Sequence, residues 1–293
     1  MVKKKLAAIG AVLMLHSVAY AATGRSAAST SGSDSDDKDA AAAGTWAAQG
    51  QLGLIITSGN TTTKSGNASF DAAHQMGLWT LSGGFAALYS STGPFSTQQH
   101  TNAHAQADLA LSKRTFWFST ARWDRNLFTG FAYQDSVATG GGFKFIATPA
   151  TLLAGELGVG YRIEQPETLI TGPAGNVISR TRVPGSLERD AVLQAGLDYS
   201  HSITQSTKVV NALLVQYGSS GTTTTDNLSL QVKVDATLSL AVGMQLVNNS
   251  SPPPGSAKHT DTVVTVNLVY ALKNPKLSAT GGTTALVSGF NLP

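Results

Sequence analysis

Apolar and polar residues alternate with a period of two along most of the chain from Trp46 onward. Between Asn227 and Thr237, for example, every second residue from Leu228 to Ala236 is apolar. Because successive side chains of a β-strand point to opposite sides of its sheet, this pattern predicts strands that each have one apolar face. No long stretch shows the 3.6-residue period of an amphipathic helix.

Twelve such segments follow one another, and most are 11 to 14 residues long. They cover residues 46–57, 63–76, 78–90, 100–112, 115–125, 133–146, 151–164, 187–202, 207–217, 226–236, 238–248 and 261–272. Strands of soluble proteins average about 5–6 residues, whereas a tilted membrane-crossing strand needs about 9–11. The segments therefore predict an all-β fold: a closed antiparallel transmembrane β-barrel of about 12 strands.

The connections between the segments alternate in length. Tight turns follow the even segments, near Met76-Gly77, Lys113-Arg114, Thr148-Pro149, Thr204–Ser206 and Ala236-Thr237. Longer gaps follow several odd segments, notably Ser91–Gln99, Gln165–Ser186 and Asn249–Thr260. Outer-membrane barrels have short periplasmic turns and long external loops, so the pattern predicts that both termini are periplasmic.

Aromatic residues lie near the strand ends, as in the interfacial girdles of membrane barrels. They are Trp46, Trp79, Tyr89, Trp117, Trp123, Tyr161, Tyr199, Tyr217 and Tyr270. A soluble β-sandwich or solenoid is the alternative fold. It would bury the apolar faces against one another, but it would not explain the long strands and the uneven loops together.

The N-terminus has the three parts of a secretory signal. Lys3–Lys5 form a basic region, Leu6–Leu15 form an apolar region, and Ala19 and Ala21 form a small-residue cleavage site. Ten apolar residues are too few for a membrane anchor, the alternative. We therefore predict a signal peptide over 1–21, a disordered Ser/Ala/Asp-rich linker over 22–44, the barrel over 45–272 and a low-complexity tail over 273–293.

The composition supports a membrane-embedded wall. Charged residues make up 13% of the chain, against about 25% in soluble domains. The formal charge of +3 comes from the signal, because 17 of the 20 basic residues remain after Lys3–Lys5 are removed and they balance the 17 acidic residues. A nucleic-acid partner is therefore not expected. The absence of Cys excludes disulfides and Cys-ligated metals.

Three blocks carry a resemblance to a known family. Trp46 with Gln51–Gly53 and Thr57–Thr61, then Trp123–Leu127 with Gly140–Lys144, and finally Asp261-Thr262 before the last strand resemble the salt-induced outer membrane protein family. That family is largely a domain of unknown function. The resemblance covers about residues 46–272. It implies an outer-membrane barrel linked to salt or osmotic stress, and it supplies no catalytic residues.

If the polar faces point inward, the barrel lumen is lined by charged residues. The lumen-facing candidates are His104, Asp108, Arg122, Asp124, Glu156, Arg162, Glu164, Glu188, Asp190, Asp198, Lys233 and Asp235. Such residues form either ion pairs that fill and rigidify the lumen or charged rings that select ions in a narrow channel. The width expected for twelve strands does not decide between them.

Two histidines on one segment could suggest a metal site. His100 and His104 would be about 13 Å apart on a strand at about 3.3 Å per residue, so they cannot bind one ion. If the turn at Lys113-Arg114 pairs Gln106 with Arg122, His104 faces Asp124 across the strands.

The sequence thus predicts an integral outer-membrane barrel with a structural or stress-linked role, without cofactor or enzymatic activity. A narrow channel for ions or small solutes is the alternative. A lipid hydrolase built on Ser119 and His201 is a weaker one, because these two residues do not fall on neighbouring strands. The expected partners are outer-membrane lipid and the barrel-assembly machinery, with small ions or solutes if the lumen conducts.

Overall fold

The computed structural model describes residues 45–57, 63–173, 176–183, 187–253 and 259–273. The predicted signal with Ala19 and Ala21, the linker over 22–44 and the tail after residue 273 lie outside the described residues. The described residues form thirteen strands: β1 Thr45–Thr57, β2 Thr63–Met76, β3 Trp79–Thr92, β4 Phe95–Ala110, β5 Thr115–Asn126, β6 Phe131–Ala147, β7 Thr151–Thr171, β8 Val177–Arg182, β9 Glu188–Ser202, β10 Thr207–Gly218, β11 Gly221–Lys233, β12 Leu238–Asn249 and β13 Thr260–Lys273. Within the described ranges, no helix has the length and apolar character needed to cross a membrane.

Twelve of these strands form a closed antiparallel barrel. Each strand pairs with its neighbours in the chain, except that β7 pairs with β9 and β8 pairs only with β7. The ring closes where β1 pairs with β13, with Gly50 opposite Tyr270. The predicted barrel of about 12 strands is therefore confirmed, and β8 is an added strand outside the ring.

Apolar side chains are exposed on the outer face of the wall and polar side chains are buried on its inner face, the reverse of the arrangement in a soluble protein. On β13, Leu268 is 50% exposed, whereas its neighbour Asn267 is 1% exposed. On β12, Leu240 and Val242 are exposed on either side of the buried Ala241. A wall that turns apolar side chains outward and polar ones inward is stable in hydrocarbon, where a closed sheet leaves no backbone group without a partner. The barrel therefore spans a membrane.

Several exposed Trp and Tyr residues lie toward the two ends of this wall. Trp46, Trp79 and Trp117 lie near the starts of β1, β3 and β5. Tyr89 and Tyr217 lie near the ends of β3 and β10, toward the other side of the wall. This arrangement matches aromatic girdles at the two membrane interfaces.

We call the side with the tight turns the turn end, and the opposite side the loop end. All five predicted tight turns are present at the turn end, together with residues 45 and 273. The predicted long connection Ser91–Gln99 at the loop end is wrong, and the connection between β10 and β11 is equally short. β3 and β4 are joined by Gly93-Pro94 alone, with Gly93 at a φ of 59°, and β10 and β11 are joined by Ser219-Ser220.

The strands replace these loops by continuing beyond the alternating part of the sequence. The stretches Phe95–Gln99 and Gly221–Thr225 pair as strands although Ser, Thr and Gln dominate both of their faces. We attribute the missing alternation to water on both faces, because nothing then selects apolar residues on one side. β7 likewise continues to Thr171 and pairs with β8 inside the predicted connection Gln165–Ser186.

Candidate functional site

The predicted lumen residues fall into three groups by burial. Six are buried: Asp108, Glu156, Arg162, Glu164, Asp190 and Asp198. Three are half-buried: His104, Arg122 and Asp124. The remaining three are exposed: Glu188, Lys233 and Asp235.

The exposed three correct the sequence prediction. Asp235 lies in the turn between β11 and β12, where its Oδ1 accepts hydrogen bonds from the backbone N–H groups of Thr237 and Leu238, both at 2.7 Å. These bonds lower the pKa of the Asp235 carboxyl below its usual range. Lys233 is the last residue of β11, and Glu188 is the first residue of β9. Both lie at a strand end, where no opposite wall covers them.

The predicted register between β4 and β5 is also wrong. Gln106 pairs with Thr120, and His104 pairs with Arg122. The reason is the length of the turn, because the hairpin closes over residues 111–114 with Leu111 N–H donating to the Thr115 carbonyl at 3.0 Å. His104 lies 3.9 Å from Asp71 across the lumen side of the wall.

Asp124 pairs instead with the other histidine of β4. His100 Nε2 lies 2.5 Å from Asp124 Oδ2. The two histidines therefore contact different carboxylates, and among the described residues no group of three or more His, Cys, Asp or Glu could hold a metal ion. The predicted register of β4 against β5 differs from the observed one by two residues. Because side chains alternate between the two faces of a strand, a shift of two leaves every side chain on its predicted face.

Among the described residues, the six largest fully buried side chains come from different strands and lie on the lumen side of the wall. They are each less than 2% exposed: Gln51, Asp108, Phe118, Gln194, Ser229 and Asn267. These residues come from β1, β4, β5, β9, β11 and β13, which are spread around the ring. A side chain that no water-sized probe can touch is covered by its neighbours, so the lumen side of the wall is tightly packed around each of these residues.

Two phenylalanines fill the side of the lumen opposite β1. Phe116, Phe118 and Ala138 form one apolar cluster. Gly142 and Gly158 provide the space, because a Cβ atom at Gly142 would overlap the ring of Phe116 and one at Gly158 would crowd Phe118. Within the glycine run, Gly142 thus makes room for aromatic packing on the inner face of a curved sheet.

Neutral amides supply much of the remaining lining. Gln245 Nε2 donates to Asn227 Oδ1 at 2.9 Å, and Gln216 Nε2 donates to Gln194 Oε1 at 3.0 Å. Sequence reasoning missed these residues because only charged side chains were considered. Their positions on the inward face of each alternating segment were the signal that could have found them.

A cavity of about 510 Å³ lies on the lumen side of the wall and extends to the loop end. Glu156, Asp198 and Asn227 lie at its deeper end, and Phe128 and Thr129 of the β5–β6 connection lie at its mouth. Its charged lining is His100, His104, Arg122, Asp124, Asp135, Glu156, Arg162, Glu164, Asp198 and Asp261.

Arg162 joins several strands at the mouth of the cavity. Its guanidinium lies 3.3 Å from Glu164 and 3.7 Å from Asp190. It also donates to Thr223 at 3.1 Å and to Ser220 at 2.9 Å. Because Asp190 in turn accepts hydrogen bonds from Ser219 and Ser220, β7, β9 and the β10–β11 turn are held by one buried network.

The pair considered for hydrolysis is not brought together. Ser119 on β5 shares a hydrogen bond of 2.9 Å with Thr139, and His201 on β9 shares one of 2.8 Å with Thr151. Strands β6 and β7 separate β5 from β9 in the ring. A serine nucleophile needs its base within hydrogen-bond reach, so these two residues do not form a catalytic pair.

Comparison with known proteins gives a family match and several fold-level matches. A family model described as "Protein of unknown function, DUF481" matches residues 50–272. Among the curated proteins, none matches this chain.

Three barrel proteins of known structure are similar to the chain at low sequence identity. The translocator domain of the autotransporter NalP from Neisseria meningitidis is 12% identical over 79% of this chain and 88% of its own, with a TM-score of 0.41. The NanC porin is 8% identical over 77% and 99%, with a TM-score of 0.43. The KdgM porin is 11% identical over 76% and 98%, with a TM-score of 0.36.

Proposed function

We propose that this chain, which belongs to the DUF481 family of proteins of unknown function, is an outer-membrane barrel with a closed lumen. It stiffens the envelope and presents a polar cavity at its loop end, and it does not act as a general diffusion pore. The supporting observation is the burial of inward side chains from six strands around the ring, each less than 2% exposed, which supports a lumen filled by its own wall.

Planar-bilayer conductance of the purified, reconstituted protein tests the closed lumen. We expect no steady conductance from the wild type, because the middle of the lumen holds no column of water. Phe118→Ala removes a fully buried ring from this level and is expected to produce discrete conductance steps. A wild-type protein that conducts steadily would refute the closed lumen.

The matched control is Phe85→Ala. Phe85 is 50% exposed on the outer face of β3, so its removal changes the lipid-facing wall and leaves the lumen intact. This variant is expected to remain silent. Conductance from both variants would indicate damage to the barrel in general and would count against Phe118 as the closing residue.

The second candidate is a narrow channel for ions or small solutes. It is favoured because only individual side chains of the barrel wall fill the lumen, and such side chains can move aside. The described residues include no separate plug domain. Arg122 and Asp124 line the cavity. If the wild type conducts, neutralising either residue is expected to change the ion selectivity, because charged linings set the local ion concentration.

The location and orientation are part of the proposal. An apolar outer wall, aromatic girdles and an N-terminal export signal support an outer-membrane barrel whose termini are both periplasmic. The assembly machinery of the outer membrane would then insert it. We expect the protein in the outer-membrane fraction with heat-modifiable migration in gels, and a mature N-terminus at Ala22. Recovery as a soluble periplasmic protein would contradict the proposal.

The stress link rests on the resemblance of the three sequence blocks to salt-induced outer membrane proteins. We expect the protein level to rise when cells are moved to high NaCl, and a deletion strain to be more sensitive to osmotic shock than its complemented parent. An unchanged level and unchanged sensitivity would leave the barrel without this role. No lipid hydrolysis is expected, and incubation of the pure protein with phospholipid and lipid A should leave their mass spectra unchanged.

A further inference from the structure

We propose that the cavity at the loop end binds a linear organic cation with two or more amino groups, of the size of a short polyamine. This inference rests on the closed lumen proposed above, because a blind cavity retains a ligand that an open pore would pass. It names the chemical class of ligand that the barrel would hold.

The charges around the cavity are unbalanced. Six carboxylate residues line it, namely Asp124, Asp135, Glu156, Glu164, Asp198 and Asp261. Only two arginines, Arg122 and Arg162, line it with them. An acidic cavity with low-dielectric walls attracts and concentrates cations.

Part of this acidity is already neutralised inside the protein. Near the mouth, Arg162 contacts Glu164, and His100 contacts Asp124. At the deeper end, Arg122 interacts electrostatically with both Glu156 and Asp198, so one guanidinium serves two carboxylates. The deeper end is therefore where a ligand cation would gain most.

Glu156 supplies a specific contact at this position. The residue is 8% exposed, and its Oε2 atom is buried without a hydrogen-bond partner among the described residues. Its polar neighbours are Arg122 and the side-chain amides of Gln194 and Gln106. A buried carboxylate oxygen with no donor is costly, and an ammonium group that enters the cavity would satisfy it.

The shape and the ligand groups favour an organic cation over a metal ion. Within the described part of the chain, no three His, Cys, Asp or Glu side chains converge on a metal position. The volume of about 510 Å³ lies within the range of about 300–1,000 Å³ typical of small-molecule sites. The carboxylates are distributed from the deeper end to the mouth, as a ligand with several separated ammonium groups requires.

Titration calorimetry of the full mature protein in detergent tests the proposal with spermidine as the probe. We expect saturable binding of spermidine, and at least tenfold weaker binding of 1,7-heptanediol and heptanedioate, which have similar length without the positive charges. Raising the NaCl concentration should weaken spermidine binding. An absence of saturable spermidine binding, or equal binding of the neutral diol, would overturn the proposal.

Two variants locate the site. Glu156→Gln keeps the size of the side chain and its ability to hydrogen-bond to the neighbouring glutamines, but it removes the negative charge. This variant is expected to weaken spermidine binding at least fivefold. Asp235→Asn, in the exposed β11–β12 turn at the opposite end of the barrel from the cavity mouth, should leave binding unchanged. Equal losses in both variants would indicate attraction to the surface of the barrel and would refute the site.

The outcome can be separated from that of the proposed function. A wild-type barrel that conducts but still binds spermidine through Glu156 refutes the closed lumen and supports the cation site. A silent barrel that does not bind spermidine supports the closed lumen and refutes the site. Heat-modifiable migration of each variant shows that the barrel is folded before it is titrated.

Discussion

His100 on β4 and Asp124 on β5 form a hydrogen-bonded pair, with Nε2 2.5 Å from Oδ2. The His100 side chain is largely buried, and that of Asp124 is partly exposed. The pair links the two strands near the loop end, where the backbone of His100 lies opposite Asn126. It replaces the pair of His104 with Asp124 that the sequence predicted.

A double-mutant cycle distinguishes the two pairings. Replacing His100 and Asp124 with Ala, singly and together, should give a coupling free energy of about 1–3 kcal/mol, the range for hydrogen bonds to charged groups. The same cycle with His104 and Asp124 should give about zero, because His104 contacts Asp71 and pairs with Arg122. Urea unfolding in lipid vesicles supplies the free energies. Coupling of the second pair alone would show that the register is the predicted one.

The glycine run on β6 gives a second test. A Cβ atom at Gly140 would overlap the backbone of Leu157 and Gly158 on β7, whereas one at Gly141 would meet nothing within 4 Å. Gly140→Ala should therefore cost at least about 1–3 kcal/mol of stability, as overpacking does. Gly141→Ala on the outer face should stay within about 0.5 kcal/mol of the wild type. Equal urea midpoints for the two variants would contradict the close approach of β6 and β7.

The third prediction concerns Arg162. Arg162→Ala removes the partner of buried Glu164 and Asp190 and should cost about 3–5 kcal/mol. Arg182→Ala is the control, because Arg182 is largely exposed and lies 3.8 Å from Glu167, and it should cost at most about 1 kcal/mol. Unfolding free energies in vesicles check both values. Similar small losses would show that the network around Arg162 does not hold the mouth together.

Arg162→Lys separates charge from geometry at the same position. Lysine keeps the positive charge but cannot donate to Thr223, Ser220 and the Gly221 carbonyl in the planar arrangement of a guanidinium. We expect its stability to fall between those of the wild type and Arg162→Ala. If Arg162→Lys had the same free energy of unfolding as the wild type, the stabilisation by Arg162 would come from its charge alone.

The turn residue Asp235 predicts a pH dependence. Its pKa is lowered by hydrogen bonds from the Thr237 and Leu238 backbones, so the stabilisation is present above the ordinary value of 3.8 and is lost as the pH falls through the lowered folded pKa. Asp235→Ala should lower the melting temperature at neutral pH, and the difference from the wild type should shrink as the pH falls below 3.8.

The control for this experiment is Asp235→Asn. In this variant the side-chain amide oxygen can still accept the two backbone hydrogen bonds, but the amide does not titrate. The stabilisation from this position should therefore not be lost from the melting temperature as the pH falls. Gel-shift melting curves at several pH values supply the data. A wild-type advantage over Asp235→Ala that persists unchanged to pH 2 would rule out the ionised carboxylate as its source.

The strands at membrane depth were predictable because their two faces contact different surroundings. Lipid selects residues such as Val264 and Leu268, and the lumen selects Thr265 and Asn267, so the alternation is visible in the sequence. The stretches Phe95–Gln99 and Gly221–Thr225 were missed for the complementary reason. They pair as strands although neither face of the sequence carries an apolar series.

The candidate site was predictable only in part. The inward face of each strand was read from the alternation, and the burial of Asp108, Glu156 and Asp198 agrees with it. The contacts between strands were not readable, because the turn over residues 111–114 sets the register of β4 against β5. Asn and Gln residues were overlooked because they carry no charge, although Gln51, Gln194 and Asn267 are among the most deeply buried lumen side chains.

The low charge fraction and the alternation of the sequence by themselves determined an antiparallel barrel and the face on which each strand residue lies. Each of these properties depends on one residue and the medium that it faces. Only the tertiary structure decided that Asp124 meets His100, that Phe116 meets Gly142 and Phe118 meets Gly158, and that Glu156 borders the cavity. These properties depend on the register and closure of the whole ring, because residues far apart in the chain become neighbours only when the twelfth strand of the ring pairs with the first.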